Sequence, residues 1–188
     1  MKRYAKKLSK WLYVQETIEE RDMELYEYGA YVLLINVSPF LLSLVIGSIM
    51  GLTINGLIFI IPFILIRKFS GGGHAKRTDV CFVLSVVIIS LGIYLTKEIA
   101  LGIPLHIIMI CSVISLILLS PIDSENRRLS VKEKRIYRNI ASGLVIIFSI
   151  LYTVLCIWKK EEMAVSISLG IILTACLQWI TLIFPNSK

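Results

Sequence analysis

The chain has 188 residues, a net charge of +7 and 56% hydrophobic residues, with only 18% charged and a mean hydropathy of +0.80. A soluble domain carries about a quarter charged residues and about half apolar ones; here the charges are clumped between long apolar runs, which excludes a water-soluble core. The basic excess forms no continuous face, which excludes nucleic acid as a partner, and the fold class expected is all-α: a polytopic integral membrane protein.

In chain order, residues 1–28 carry charges throughout, with no apolar core and no small-residue cleavage site, so they are not a signal peptide. Tyr4, Leu8, Trp11 and Leu12 recur at helical spacing with Lys6, Lys7 and Lys10 between them, the pattern of an N-terminal amphipathic helix lying in the membrane interface. The acidic stretch from Glu16 to Glu27 follows as a solvated face. A spanning helix needs about 20 mainly apolar residues, and about six runs qualify, near 29–50, 52–66, 79–96, 99–119, 139–158 and 163–184. The whole of 1–188 reads as a single membrane domain. Gly51, Thr53, Asn55 and Gly56 read as a tight turn before the short second span, and Pro39, Pro62 and Pro104 as kinks within runs.

Lysine and arginine set the orientation. The N-terminal arm holds six, the loop after the second span four, the loop after the fourth six, and Lys188 one more, so seventeen of twenty fall on one side. Only Lys97, Lys159 and Lys160 fall on the other. By the positive-inside rule the termini and both large basic loops are cytoplasmic, and the localisation expected is the cell membrane, multi-pass.

Chemistry concentrates in one segment, from Arg67 through Gly71-Gly72-Gly73-His74 to Asp79 and Cys81. Seven residues separate His74 from Cys81; on an unbroken helix they would stand about 10.5 Å apart along the axis. A nucleophile and its base must come within about 3 Å, or a little more with sulfur, so a Cys–His pair requires a bend. Glycines 71–73 permit one, and an apo structure should hold His74 within roughly 5 Å of the Cys81 sulfur. Thr78 or Asp79 is a candidate N-cap, which would put Cys81 in the first helical turn beside Arg67, Lys68, Lys76 and Arg77, where the thiolate is favoured. Accidental proximity of one His and one Cys in a basic loop is the alternative on chemistry alone. Cys111, Cys156 and Cys176 lie deep in apolar runs as small hydrophobes. No CxxC or metal-type spacing occurs, His106 lies in the fourth span toward the outer side, and the Lys-Ser/Thr of a P-loop is absent, so neither metal nor cofactor is expected.

The G-G-G-H-A-x-x-x-x-x-C stretch at 71–81, preceded by Arg67, resembles the AgrB family of membrane cysteine endopeptidases. So do the chain length, the basic arm and the pattern of spans. The loop Ser120-Pro121-Ile122-Asp123-Ser124-Glu125-Asn126-Arg127-Arg128 is similar to the family's Pro-x-Asp-x-x-Asn-basic loop, with Arg128 where many members have Pro. The resemblance implies a Gram-positive bacterium, a quorum-sensing peptide precursor (AgrD-like) as substrate, and a homodimer in the bilayer. It also implies that Cys81 is the nucleophile and His74 its base. The enzyme would remove the precursor's C-terminal tail and keep the peptide as an acyl-thioester, which an internal Cys or Ser displaces to close a thiolactone or lactone.

Supporting candidates are Arg67, Gly72, Asp79, Asn126 and Arg127. Arg67 either positions a substrate carbonyl or carboxylate or anchors the second span, Asp79 either caps the helix or orients His74, and Gln15 and Asn126 are further orienting candidates. The alternative from another class is a non-enzymatic carrier or export subunit for a small peptide. Its spans would need polar or ionisable groups at mid-membrane, whereas these hold almost none: Asn36, Ser38, Gln178 and scattered Ser and Thr, with no buried carboxylate.

Residues 127–138 carry six basic residues against one acid, Glu133. They either only enforce topology or also attract an acidic precursor tail. Exposed pairs contribute less than about 1 kcal/mol each, so the test is collective. Neutralising Arg127, Arg128, Lys132 and Lys134 together should raise the apparent KM several-fold and weaken its salt dependence while kcat holds. An unchanged KM in a correctly inserted variant assigns the loop to topology alone.

Overall fold

A computed structural model describes residues 2–71, 78–122 and 130–183, with residues 2 and 78–82 described through the backbone. Among the described residues there are seven α-helices and no strand: α1 (Lys2–Val14), α2 (Met23–Ile49), α3 (Thr53–Ser70), α4 (Thr78–Glu98), α5 (Ile103–Leu119), α6 (Val131–Ile157) and α7 (Glu161–Ile183). The chain is an all-α polytopic membrane protein. α2, α3, α6 and α7 are long and apolar enough to cross a bilayer by length and composition, and α5 is an apolar helix of 17 residues, at the short end of the spanning range.

The described residues fall into two compact units. In the first, 1–41, α1 is amphipathic: Tyr4, Leu8 and Trp11 form an exposed apolar face, the one an interfacial helix turns to lipid. A short 3-10 turn, Glu20–Asp22, leads into α2, whose start at Met23 lies six residues before the first apolar run.

In the second unit, 42–188, α7 is the central helix, with ten of its 23 residues buried. Most of those ten are small or hydroxylic: Ala164, Ser166, Ser168, Gly170, Thr174 and Ala175. Apolar burial cannot drive helices together in lipid, because the tails are as apolar as Leu; close backbone approach does it instead. At Gly170 an added Cβ would lie 2.5 Å from the Phe59 carbonyl oxygen of α3. Gly56 of α3 likewise meets Ser43, whose hydroxyl donates to the Gly56 carbonyl at 2.8 Å. Ile66, Met109, Leu116, Val145, Ile167 and Ile171 fill the space between α3, α5, α6 and α7, while Phe59, Ile60, Ile89 and Ile93 fill that between α3 and α4. The outer surface of the bundle is a belt of exposed apolar residues, Ile107, Ile110, Ile114 and Leu118 on α5 and Ile146, Ile147 and Ile150 on α6. Only a lipid surround accommodates that much uncovered hydrocarbon.

Two expectations are corrected. Thr53, Asn55 and Gly56 are not turn residues but open α3, and the turn is confined to 50–52, where Gly51 takes φ 69°. Pro104 does not kink a span; it occupies the first turn of α5, where its missing N–H is not needed. Pro39 and Pro62 do lie inside α2 and α3. Two helices also outrun their apolar stretches. α3 continues through Arg67 and Lys68 to Ser70, and α6 starts at Val131, eight residues ahead of its apolar run. A capping box explains the latter: Ser130 Oγ accepts the Glu133 amide at 3.3 Å, and the Glu133 carboxylate accepts the Ser130 amide at 2.8 Å.

The exposed positions Lys132, at the start of α6, and Lys160, between α6 and α7, lie at opposite ends of α6 and test the orientation. In a background without native cysteines, Lys132→Cys should react with a membrane-impermeant thiol reagent only after the cell is opened, and Lys160→Cys in intact cells. The reverse pattern would invert the topology.

Candidate functional site

Four segments meet at one end of the second unit: the last turn of α3, the end of α5, the first turns of α6 and the last third of α7. Phe69 packs edge-to-face on Tyr137 of α6 with ring centroids 5.7 Å apart, and the Lys68 ammonium sits 5.6 Å from the Phe69 ring centre. Arg67, one residue earlier, is half-buried, with its Nη1 shut off from solvent and the side chain engaged in the fold. An arginine that only anchored a span would keep its guanidinium in the aqueous interface.

α3 ends because Gly71 takes φ 76°, ψ −164°, a conformation essentially restricted to glycine. That turn directs the chain against the segment after α5. The Ile122 amide donates to the Ser70 carbonyl at 2.9 Å, and Gly71 and Ile122 form an isolated parallel bridge. The approach is so close that a Cβ on Gly71 would lie 2.2 Å from the Ile122 carbonyl oxygen. Thus the segment leading to His74 and the one leading to Asn126 are joined at their roots. Beneath them lies a buried polar layer: Ser70 and Gln178 are each no more than 1% exposed and Ser120 is 4% exposed. Gln178 Nε2 donates to Ser120 Oγ at 3.1 Å. Ser70 Oγ and Gln178 Oε1 have no hydrogen-bond partner among the described residues. An unmatched buried polar group costs about 1–3 kcal/mol, which marks this layer off from the rest of the bundle.

The sequence-predicted site residues are distributed as follows. Arg67 is at the α3 terminus. The backbone of Asp79 and Cys81 lies in the first turn of α4, which begins at Thr78, so Asp79 sits inside the helix rather than ahead of it as a cap. Gly72, His74, Asn126 and Arg127 lie outside the described residues, as do the Cys81 side chain and hence the expected His74–Cys81 approach. Gln15 follows α1 in the first unit. Among the described residues no cluster of three or more His, Cys, Asp or Glu could hold a metal ion. At the opposite end of the bundle the Tyr152 hydroxyl and His106 Nδ1 are 2.6 Å apart, and Asn55 Nδ2 donates to Glu162 at 3.2 Å; both pairs tie helix ends together. Sequence reasoning missed the roles of Ser70, Ser120 and Gln178. The one available signal was an amide at Gln178 inside an apolar run, since polar groups at membrane depth are costly.

Comparison with known proteins places this geometry in context. A family model described as accessory gene regulator B matches residues 1–182. An AgrB-like protein of Clostridium perfringens (strain SM101 / Type A) is 25% identical over 173 residues, covering 86% of this chain and 81% of its own length. A second AgrB-like protein, from Clostridium perfringens (strain 13 / Type A), is 23% identical over 120 residues, covering 60% of this chain and 56% of its own. No solved structure matches.

The close approach at Gly71 can be tested on stability alone. Gly71 and Gly51 both have positive φ, but a Cβ on Gly51 meets nothing within 4 Å. Gly51→Ala should cost about 1–2 kcal/mol, the backbone term alone. Gly71→Ala should cost clearly more, read as a lower thermal midpoint in detergent. Equal losses would mean that the Gly71–Ile122 contact is not tight.

Proposed function

This chain belongs to the accessory gene regulator B family, and we propose that it is a membrane cysteine endopeptidase and cyclase acting on a quorum-sensing peptide precursor of the AgrD kind. The observation that carries the reading is the family match along residues 1–182 together with the Gly-rich His74–Cys81 motif it contains. The Cys81 thiolate attacks the carbonyl at the precursor's cleavage point. The C–N bond breaks, the tail departs as an amine that takes its proton from the His74 imidazolium, and the peptide remains as a thioester on Cys81. A Cys or Ser side chain within the peptide then gives its proton to the neutral His74 and attacks that thioester, releasing the Cys81 thiolate and closing a thiolactone or lactone.

Membrane embedding suits the second step. Ring closure competes with hydrolysis of the acyl-enzyme, and partial exclusion of water slows hydrolysis. The seventeen basic residues that fall in alternate inter-span segments orient the motif toward the cytoplasm, where the precursor is made. Arg67, half-buried in the last turn of α3, is suited to hold a substrate carbonyl or carboxylate. The carrier alternative finds no support in the spans. Their hydroxyls, such as Ser112, Ser149, Ser166 and Thr174, bond to carbonyls of their own helices and offer no polar path.

The test is co-expression with a candidate AgrD-like precursor that carries an internal Cys or Ser, and mass measurement of that precursor. Cys81→Ala should abolish cleavage, while Cys111→Ala, Cys156→Ala and Cys176→Ala should retain most of it. Cleavage by the Cys81 variant at near wild-type rate would remove the central residue of the reading.

A further inference from the structure

Among the buried residues of α7, the hydroxyls of Ser166, Ser168 and Thr174 all bond to carbonyls of α7 itself. Gln178 differs. It is 1% exposed, and its carboxamide reaches across to Ser120 at the end of α5, a bond of 3.1 Å to a residue 4% exposed. The other atom of the amide, Oε1, has no partner among the described residues, and neither does the fully buried Ser70 hydroxyl. A leucine or methionine would fill such a position without a desolvation cost, so a buried amide that reaches across to another helix calls for a role other than packing.

The connections supply one. Ser120 stands two residues before Ile122, and the Ile122 amide holds the Ser70 carbonyl at 2.9 Å. From Gly71 the chain runs, within ten residues, through His74 to Cys81 in the first turn of α4. Gln178 therefore anchors, from the central and most buried helix, the joint that both loop roots share. We propose that Gln178, through Ser120, is a positioning residue that holds the Ser70–Ile122 joint from which the chain leads to the catalytic segment; this rests on the endopeptidase reading above. Gln178 does not touch substrate, and its contribution is geometric. A misplacement of about 1 Å between reacting groups costs up to about a hundredfold in rate.

The experiment compares Gln178→Leu, Ser120→Ala and the double variant Q178L/S120A in the full-length protein, with the same co-expressed precursor and with iodoacetamide as a probe of Cys81 in a background where the other three cysteines are alanine. Leaving one partner of a buried hydrogen bond alone is destabilising, whereas removing both is close to neutral. The single variants should lose thermal stability and the double variant should regain it. Under this inference cleavage does not recover with stability. In the double variant kcat stays roughly ten- to a hundredfold down with KM within about twofold, and the pH midpoint of Cys81 alkylation moves toward that of an unassisted thiol, about 8.5. A stable double variant with wild-type kcat and an unmoved alkylation profile would overturn it while Cys81→Ala remained inactive. Undiminished cleavage by Cys81→Ala would instead remove the endopeptidase reading, and this inference with it.

Discussion

In hydrocarbon no water completes the hydrogen bonding of a peptide group, so each backbone amide and carbonyl must find its partner within the protein. That requirement makes every span of this chain a helix, and it gives weight to the place where the helices stop. At the end of α3 the Ser70 carbonyl accepts its hydrogen bond from the Ile122 amide, across from the end of α5. One such bond contributes only about 1 kcal/mol net, yet it decides which two loops begin side by side. Gly71 is the residue that lets it form, because any side chain would collide with Ile122.

The interior of the second unit follows from the same solvent. With no hydrophobic force between helices, contact depends on small residues and on polar groups that satisfy themselves locally. α7 is built this way for most of its length, with Gly170 against the Phe59 backbone and hydroxyls folded onto their own helix. The exception is the layer of Gln178, Ser120 and Ser70, where polar atoms bond between helices or have no partner among the described residues. Buried polar groups at membrane depth are costly and are kept mainly where function needs them. Their position, below the roots of the two basic loops, ties this layer to the proposed chemistry.

Much of the fold was legible in the sequence because a lipid-facing helix writes itself as a long apolar run. Helix ends were less legible, for a physical reason. Hydropathy marks where hydrocarbon begins, but α3 and α6 continue past that boundary through Arg67–Ser70 and Val131–Arg138, the latter secured by the Ser130–Glu133 capping box. Pro104 looked like a kink only because an apolar run does not reveal where within it a helix starts. His74 and Cys81 stand out in the sequence because reactive residue types at a fixed spacing carry information by themselves, but their approach lies outside the described residues. Ser70, Ser120 and Gln178 carry none singly; they matter through pairings 52 and 58 residues apart along the chain, which no local pattern encodes.

The proposed endopeptidase reaction passes through a covalent intermediate at Cys81, and that intermediate can be weighed. A precursor whose internal Cys or Ser is replaced by Ala retains the cleavage point but lacks the group that closes the ring. Incubated with it, the enzyme should gain the mass of the peptide without its tail, in a thioester at Cys81 that hydroxylamine removes. Tail release without any adduct, or an adduct mapped to Cys111, Cys156 or Cys176, would contradict the account.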